Sequence, residues 1–503
     1  MFMSISHLPF PSVALLFLSF SIVLHLFLRG ITYLIRIPDH GPPTYPFLGC
    51  LISFYKNKHR LLDWYTRMLA HSPTQTIVIH RLGAPRTIIT ANPDNVEYIL
   101  KTNFDNFPKG GPFIEILKDL LGRGIFNVDG ELWHTQRKLV SHEFTTRSLR
   151  EFVVKILEVE ANERLLPILE SACVKHQPLD LQDLFRRFAF DTICNVSLGL
   201  DPGCLKPSLP ASDLANAFDV ASEISARRAA APVFAVWKLK RAMRIGSERR
   251  LKEAIELVHG SIMEMIHQKK LENHEEGKNK DLLSRLILDG HDEEVIRDMV
   301  ISFVMAGRDT TSAALTWFFW LISSHREIEN EVVKEVMIAS EGDERLDYSS
   351  LKDMWLLDAC LCETMRLYPP VPWDSKHAAG DDMLPDGTHV RKGDRVTYFP
   401  YGMGRMESVW GKDRLEFRPQ RWFGSTVDGT PVKVSPYKFP VFQGGPRVCL
   451  GKEMAFIHMK YVAASMIRRF EIRPVGHDQP IFVPLLTAHM DGGFKVMVRK
   501  RSL

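Results

Sequence analysis

Apolar residues run without a formal charge from Val13 to Leu28 (VALLFLSFSIVLHLFL). Leu8 to Pro11 extend the run to about the 20 residues that cross a bilayer. No basic residue precedes it and no small-residue cleavage site follows, which argues against a cleaved secretory signal. The flanking charges, Arg29 and Arg36, come after the run and place the body on the cytoplasmic side. The expectation is a membrane anchor over residues 1–37. Pro38-Asp39-His40-Gly41-Pro42-Pro43 and Tyr45-Pro46 cannot continue a helix, because proline fixes φ and lacks an N–H. Residues 38–49 therefore read as a stiff hinge, and residues 50–503 as one body without internal repeats.

Within that body the pattern changes period. Thr76 to His80 and Arg86 to Thr90 form short β-type runs around a Leu82-Gly83 turn signal. Helical spacing dominates from Asn95 to Tyr368, as in Asp180 to Ser197 and Glu293 to Ser324. Lys269 to Lys280 (KKLENHEEGKNK) is polar enough to read as a surface loop. After Val371 the chain is rich in Gly and Pro with short strand-like runs, and a last helix is expected from Lys452 to Phe470. The fold class is mainly α with a minor β region.

Composition narrows the class without naming a function. Hydrophobic residues at 45% and charged residues at 25% exclude disordered and collagen-like chains. A net charge of +4 is too small to argue for nucleic acid; it suits an acidic protein partner or an anionic membrane surface. The seven cysteines are scattered, which favours reduced thiols facing the cytosol. Cys360-Leu361-Cys362 lacks the spacing of a zinc site.

One cysteine stands apart. Phe442-Gln443-Gly444-Gly445-Pro446-Arg447-Val448-Cys449-Leu450-Gly451 is a glycine-bearing loop that delivers Cys449 immediately before a helix. Glycine lets backbone approach a ligand, and a helix start favours the thiolate. Backbone N–H groups around the sulfur can tune an iron–thiolate bond. The loop resembles the cytochrome P-450 signature F-x-x-G-x-R-x-C-x-G at every fixed position. That resemblance implies a triangular helical prism around haem b, here with one N-terminal transmembrane helix. It implies Cys449 as the axial iron ligand and Arg447 on a haem propionate. Phe442 would lie beside the thiolate, with Gly445 and Gly451 shaping the loop around the cofactor.

Three further motifs resemble the same family. Glu363 and Arg366 stand three apart on one helix face, and with Arg421 of Pro419-Gln420-Arg421-Trp422 they resemble the lock that supports the cysteine loop. Gln420 and Trp422 depart from the common pattern. Ala306-Gly307-Arg308-Asp309-Thr310-Thr311 places polar residues in mid-helix, where they must be satisfied or functional. It resembles the oxygen-activation motif, with Gly307 making room for dioxygen and Asp309 and Thr310 handling protons. Trp133 and Arg137 share a face at i, i+4 and resemble the clamp on the haem propionates. Electrons would come from NADPH through a membrane-bound flavoprotein, NADPH–cytochrome P-450 reductase. Lys138 and Lys452 either help dock its acidic face or are ordinary solvated lysines.

The pocket should be apolar, with Val304, Ala306 and Ala313 facing it. Over essentially the whole chain, stretches such as Phe107-Pro108-Lys109-Gly110 and Tyr398-Phe399-Pro400-Tyr401-Gly402 resemble the plant branch that hydroxylates terminal methyl carbons. The substrate implied is jasmonoyl-isoleucine or a fatty acid; the alternative is the C-26 end of a sterol side chain. Reductase-independent hydroperoxide rearrangement and a haem-binding sensor are more distant readings, opposed by Asp309, Thr310 and the unbroken loop. Ala306 stands where some animal relatives carry an esterifying glutamate, so Cys449 would be the only covalent tether. Arg227 and Arg228 are candidate anchors for a substrate carboxylate, weighed against a solvated or membrane-facing role. The implied location is the endoplasmic reticulum membrane, single-pass.

Overall fold

Alternating side chains give strands and 3.6-residue spacing gives helices, and the computed structural model shows where each period ends. It describes residues 15, 17–27, 40–45, 47–144, 147–231, 233–272, 282–288, 290–340, 346–424, 432–476 and 479–501. Helix α1 (Leu61–His71) leads into the antiparallel pair β1 (Thr76–Ile79) and β2 (Thr87–Thr90). There follow α2 (Gly110–Leu121), α3 (Gly130–Phe144), α4 (Leu181–Leu198), α5 (Asp213–Ala229) and α6 (Ser247–Glu272). The 31-residue α7 (Glu293–Ser323), about 46 Å long at 1.5 Å per residue, precedes α8 (Trp355–Leu367) and, later, α9 (Lys452–Ile467). Strands β3 (Asp374–His377) and β4 (Arg395–Tyr398) complete a sheet in the order β1-β2-β4-β3, with β2 and β4 parallel.

Local chemistry sets the boundaries. The Asp180 carboxylate caps α4 by accepting from the Gln182 and Asp183 amides, and Gly199 closes that helix in the left-handed region (φ +66°). Helix α9 stops at Ile467, short of the expected Phe470. Phe470 instead opens a strand to Pro474 that pairs with Lys495–Lys500. The expected loop at Lys269 begins late, since α6 continues to Glu272 with Lys269 and Lys270 in its last turn, where cations suit the helix dipole. The rest of that stretch, residues 273–280, lies outside the described residues.

Two apolar clusters meet on α7. Its first half (Met299, Val300, Ile301) packs with α2, α5 and α6, and its second half (Trp317, Phe318, Phe319) with α4, α8 and α9. A third cluster holds α1 against the four-stranded sheet through Tyr65, Ile77, Ile88 and Phe399.

At the amino end, residues 17–27 are helical with Phe17 and Phe27 exposed. Among the described residues, no helix is long and apolar enough to cross a membrane. The remainder of the expected span, with Pro38, Asp39 and Pro46 of the hinge, lies outside them. The hinge ends in a fixed turn: Tyr45 and Gly49 exchange two backbone hydrogen bonds of 2.8 Å, and the Cys50 N–H donates to the His80 carbonyl at 2.7 Å.

Candidate active site

The loop before α9 is held by backbone contacts that only glycine permits. Gly445 has φ +63°, and a Cβ there would stand 1.9 Å from the Leu100 carbonyl oxygen. The Cys449 N–H donates to the Phe442 carbonyl at 2.8 Å, folding the loop back on itself, and Gly451 caps α9. The Phe442 ring packs 5.5 Å from Phe456 of α9. Leu450 packs against the cluster built on the first half of α7, which draws loop and long helix together. The Cys449 thiol departs from expectation. Cys449 is exposed, yet the protein packed around its sulfur pushes the thiol pKa up, and the Gly451 N–H, Arg137 and Lys452, which pull it down, do not compensate. The helix start favours the thiolate as expected, but the surrounding protein outweighs it; a coordinated metal ion deprotonates such a thiol outright.

Around this loop gather more cations than anions. The Arg447 guanidinium lies 4.4 Å from the Trp133 ring centroid and donates to Asp129 Oδ1 (2.7 Å) and to the Val128 carbonyl (2.9 Å). Arg137, one turn along α3 from Trp133, donates to the Val448 carbonyl. Asp374 of β3 accepts from Lys109 Nζ (2.8 Å), the Tyr398 hydroxyl (2.9 Å) and Gln443 Nε2 of the loop (2.9 Å). Burial opposes ionisation of Asp374, yet Lys109 and Lys376 outweigh it and hold the carboxyl well below its usual range. Lys376 is 1% exposed, 3.4 Å from Asp374 Oδ2, and its Nζ has no hydrogen-bond partner among the described residues. Burial, with Lys109 and Arg447 adding repulsion, pulls its pKa down to about 7.

Among the described residues, Lys109, Lys376, Arg137 and Arg447 thus face Asp129 and Asp374, four basic groups against two acidic ones. Haem carries two propionates, and an orphaned buried ammonium beside the loop suits such a dianion. Sequence reading found Trp133, Arg137 and Arg447 but missed Lys109, Asp374, Lys376 and Gln443. A strand bearing Asp and Lys at alternate positions was the available signal.

In the middle of α7, between Val304 and Thr311, the residues that are not buried are Met305, Ala306, Gly307 and Thr310, so Ala306 and Thr310 share one open face at i, i+4. Val304 and Ala313, expected on that face, are instead buried, 0% and 5% exposed. The Thr310 hydroxyl donates to the Ala306 carbonyl at 2.6 Å. Asp309 is buried, with Oδ1 3.6 Å from Arg308 and no hydrogen bond among the described residues. Arg308 reaches Asp219 of α5 at 2.7 Å, and Arg186 of α4 pairs with the same carboxylate. Gly307 has a packing reason of its own: a Cβ there would meet Ile193 Cδ1 of α4 at 2.6 Å.

The lock is complete and buried. Glu363 Oε1 accepts from Arg366 Nη2 (2.8 Å), Arg421 Nε (2.8 Å) and the Arg418 N–H (2.9 Å). Its Oε2 accepts from Arg366 Nε (2.8 Å) and from Trp422 Nε1 (3.0 Å). Trp422, a departure in sequence, therefore serves the lock directly. Its ring also packs 4.9 Å from Phe439, which leads into the turn carrying the Phe442 carbonyl.

The arginines proposed as substrate anchors are engaged elsewhere. Arg227 is exposed and pairs with Glu223 on its own helix. Arg228 is buried between Glu248 and Asp119, which satisfy it as internal counter-ions. Lys138 and Lys452 are both exposed.

The sequence model of the family described as Cytochrome P450 matches residues 40–491. Cytochrome P450 94B1 of Arabidopsis thaliana is 58% identical over 469 residues, covering 92% of this chain and 92% of that protein. Cytochrome P450 94A2 of Vicia sativa is 48% identical, covering 92% and 91% respectively. Among solved structures, the crystal structure of the cytochrome P450DA heme domain aligns with a TM-score of 0.77 at 20% identity. That alignment covers 93% of this chain and 99% of that one, a likeness of fold.

Proposed function

Because this chain belongs to the cytochrome P450 family, we propose that it hydroxylates the terminal carbon of an aliphatic chain, with jasmonoyl-isoleucine or a fatty acid as substrate. The chain is a cytochrome P450 monooxygenase, which uses haem on an axial cysteine and electrons from NADPH through a reductase partner. We assign Cys449 as that cysteine. The observation that carries the assignment is the excess of basic over acidic groups beside the Cys449 loop. Arg137, Arg447 and Lys376 would hold the propionates, with Trp133 stacked beneath Arg447, and the Glu363–Arg366–Arg421 lock would fix the loop.

Haem, when bound, supplies the activation of dioxygen at its iron. The protein's part is positional. Thr310 keeps a proton on Oγ1, parked on the Ala306 carbonyl at the open face of α7. Asp309 offers a carboxylate oxygen free of hydrogen bonds, restrained by Arg308 and so indirectly by α5. Gly307 lets α4 and α7 approach closely beside this pair, because it places no Cβ against Ile193.

The terminal position and the substrate rest on the resemblance to plant terminal hydroxylases and on the similarity to the relatives above. A sterol side chain is the second reading. The exposed apolar helix at residues 17–27 supports an anchor in the endoplasmic reticulum membrane with the body on the cytoplasmic side. The decisive experiment is turnover in microsomes with reductase and NADPH on jasmonoyl-isoleucine, dodecanoic acid and a hydroxylated sterol. Terminal hydroxylation of one of the two acids, read by mass, is expected; oxidation of the sterol alone would overturn the choice.

A further inference from the structure

The four-stranded sheet has a second charged face. Along β4, Val396 and Tyr398 alternate with Arg395 and Thr397, and Tyr398 points to Asp374. Arg395 and Thr397 therefore face the other way, into a cavity of about 60 Å³. Phe54, Ile79, Ile89 and Trp373 give it apolar walls, and Ala229 and Ala230 at the end of α5 border it. Two arginines and a tyrosine converge there. Arg395 Nε donates to Ser375 Oγ at 2.9 Å, and its terminal nitrogens have no partner among the described residues. Arg81 stacks 4.2 Å over Phe54 and donates from Nη2 to the Ala231 carbonyl at 3.2 Å, leaving Nε buried without a partner. The Tyr65 hydroxyl, on a ring 6% exposed, makes no hydrogen bond among the described residues.

Neither arginine has a carboxylate at ion-pair distance among the described residues, unlike the buried Arg228 and Arg308. Burial lowers the pKa of both, and Arg81 adds repulsion that helps bring Arg395 down to about 10. Both arginines are partly buried, and Asp374 eases Arg395 only at a distance, so bringing two like charges together without a carboxylate in contact is unfavourable. A cavity needs roughly 10–15 Å³ to admit a water, so this one takes a headgroup of a few heavy atoms. Guanidinium forks match a planar carboxylate, and a phenol adds a third donor.

We propose that Arg81, Arg395 and the Tyr65 hydroxyl form a carboxylate-binding site that holds the acid end of the substrate, leaving its far end free to reach the oxidised position. The inference rests on the reading of the substrate as an aliphatic acid, and it replaces Arg227 and Arg228 in the anchoring role.

The test measures dissociation constants of the haem-loaded enzyme by equilibrium dialysis, for dodecanoic acid, jasmonoyl-isoleucine and the methyl ester of each. Arg81→Gln and Arg395→Gln should each weaken acid binding by about 10- to 100-fold, the range for losing a hydrogen bond to a charged group, with esters changed by less than about 2-fold. Tyr65→Phe keeps the ring and should weaken the acids by about 3- to 10-fold, so the site is tested even where an arginine variant fails to fold. Acids and esters weakened alike, or acids unaffected, would overturn the site. A wild-type enzyme that does not prefer acid over ester refutes the aliphatic-acid reading and the site with it. Preference in the wild type that persists in the variants refutes the site alone.

Discussion

Trp422 donates its indole N–H to a carboxylate that already has four other donors, and the lock is buried. Replacing it with phenylalanine keeps the packing on Phe439 and removes one hydrogen bond to a charged acceptor. Trp422→Phe should lower stability by about 1–3 kcal/mol in urea unfolding while leaving the reduced carbon-monoxide spectrum of thiolate type. An unchanged unfolding midpoint would show the bond to be idle. Glu160 offers a pH-dependent counterpart. Burial pushes its carboxyl up to about 7, with Asp191 and Asp201 adding to the rise and Arg164 opposing it. The folded state therefore favours the protonated form; its contribution is full below the ordinary carboxylate range and is lost as pH rises through about 7. Glu160→Gln should flatten the fall in stability between pH 5 and 7 by about 1–3 kcal/mol, and parallel urea midpoints in the two proteins would refute this. Cys449, Glu363, Arg366 and Arg421 were legible in sequence because each sits in a short motif with fixed spacing. Lys376, Asp374, Arg395 and Tyr65 were not, since their meaning arises only when β3, β4 and α1 are brought together.

Helix α7 was legible nearly to the residue, because its apolar run is long and Asp292 caps it by accepting from the Glu294 amide. Its facing was not, because a helix buried on several sides carries little periodic signal, and Val304 was assigned to the wrong environment. The end of α9 was missed for a related reason. Sequence around Phe470 suits helix or strand, and pairing with Lys495–Lys500 decides between them. The contact between α4 and α7 at Gly307 can be tested as a pair. Gly307→Ala alone should destabilise by about 1–3 kcal/mol through overpacking, and Ile193→Ala in the same protein should recover most of that loss. Additive losses in a double-mutant cycle would mean that the two side chains do not meet.

At the scale of the chain, the mainly α class, the short β region and the Cys449 loop were all legible. The basic groups on both faces of the four-stranded sheet were not, because strands of four residues leave a weak trace in sequence. Removal of residues 1–37 is expected to shift the protein from the membrane to the soluble fraction while keeping the thiolate-type spectrum. Equal partition with and without that segment would place membrane affinity in the body. The long helix has a consequence in time as well as in space. Because α7 threads both large clusters, neither can open without disturbing the other, so its central amides should exchange hydrogen only through global unfolding. Those amides should be among the slowest in the molecule, and the turn bearing Thr310 among the last to lose its shape.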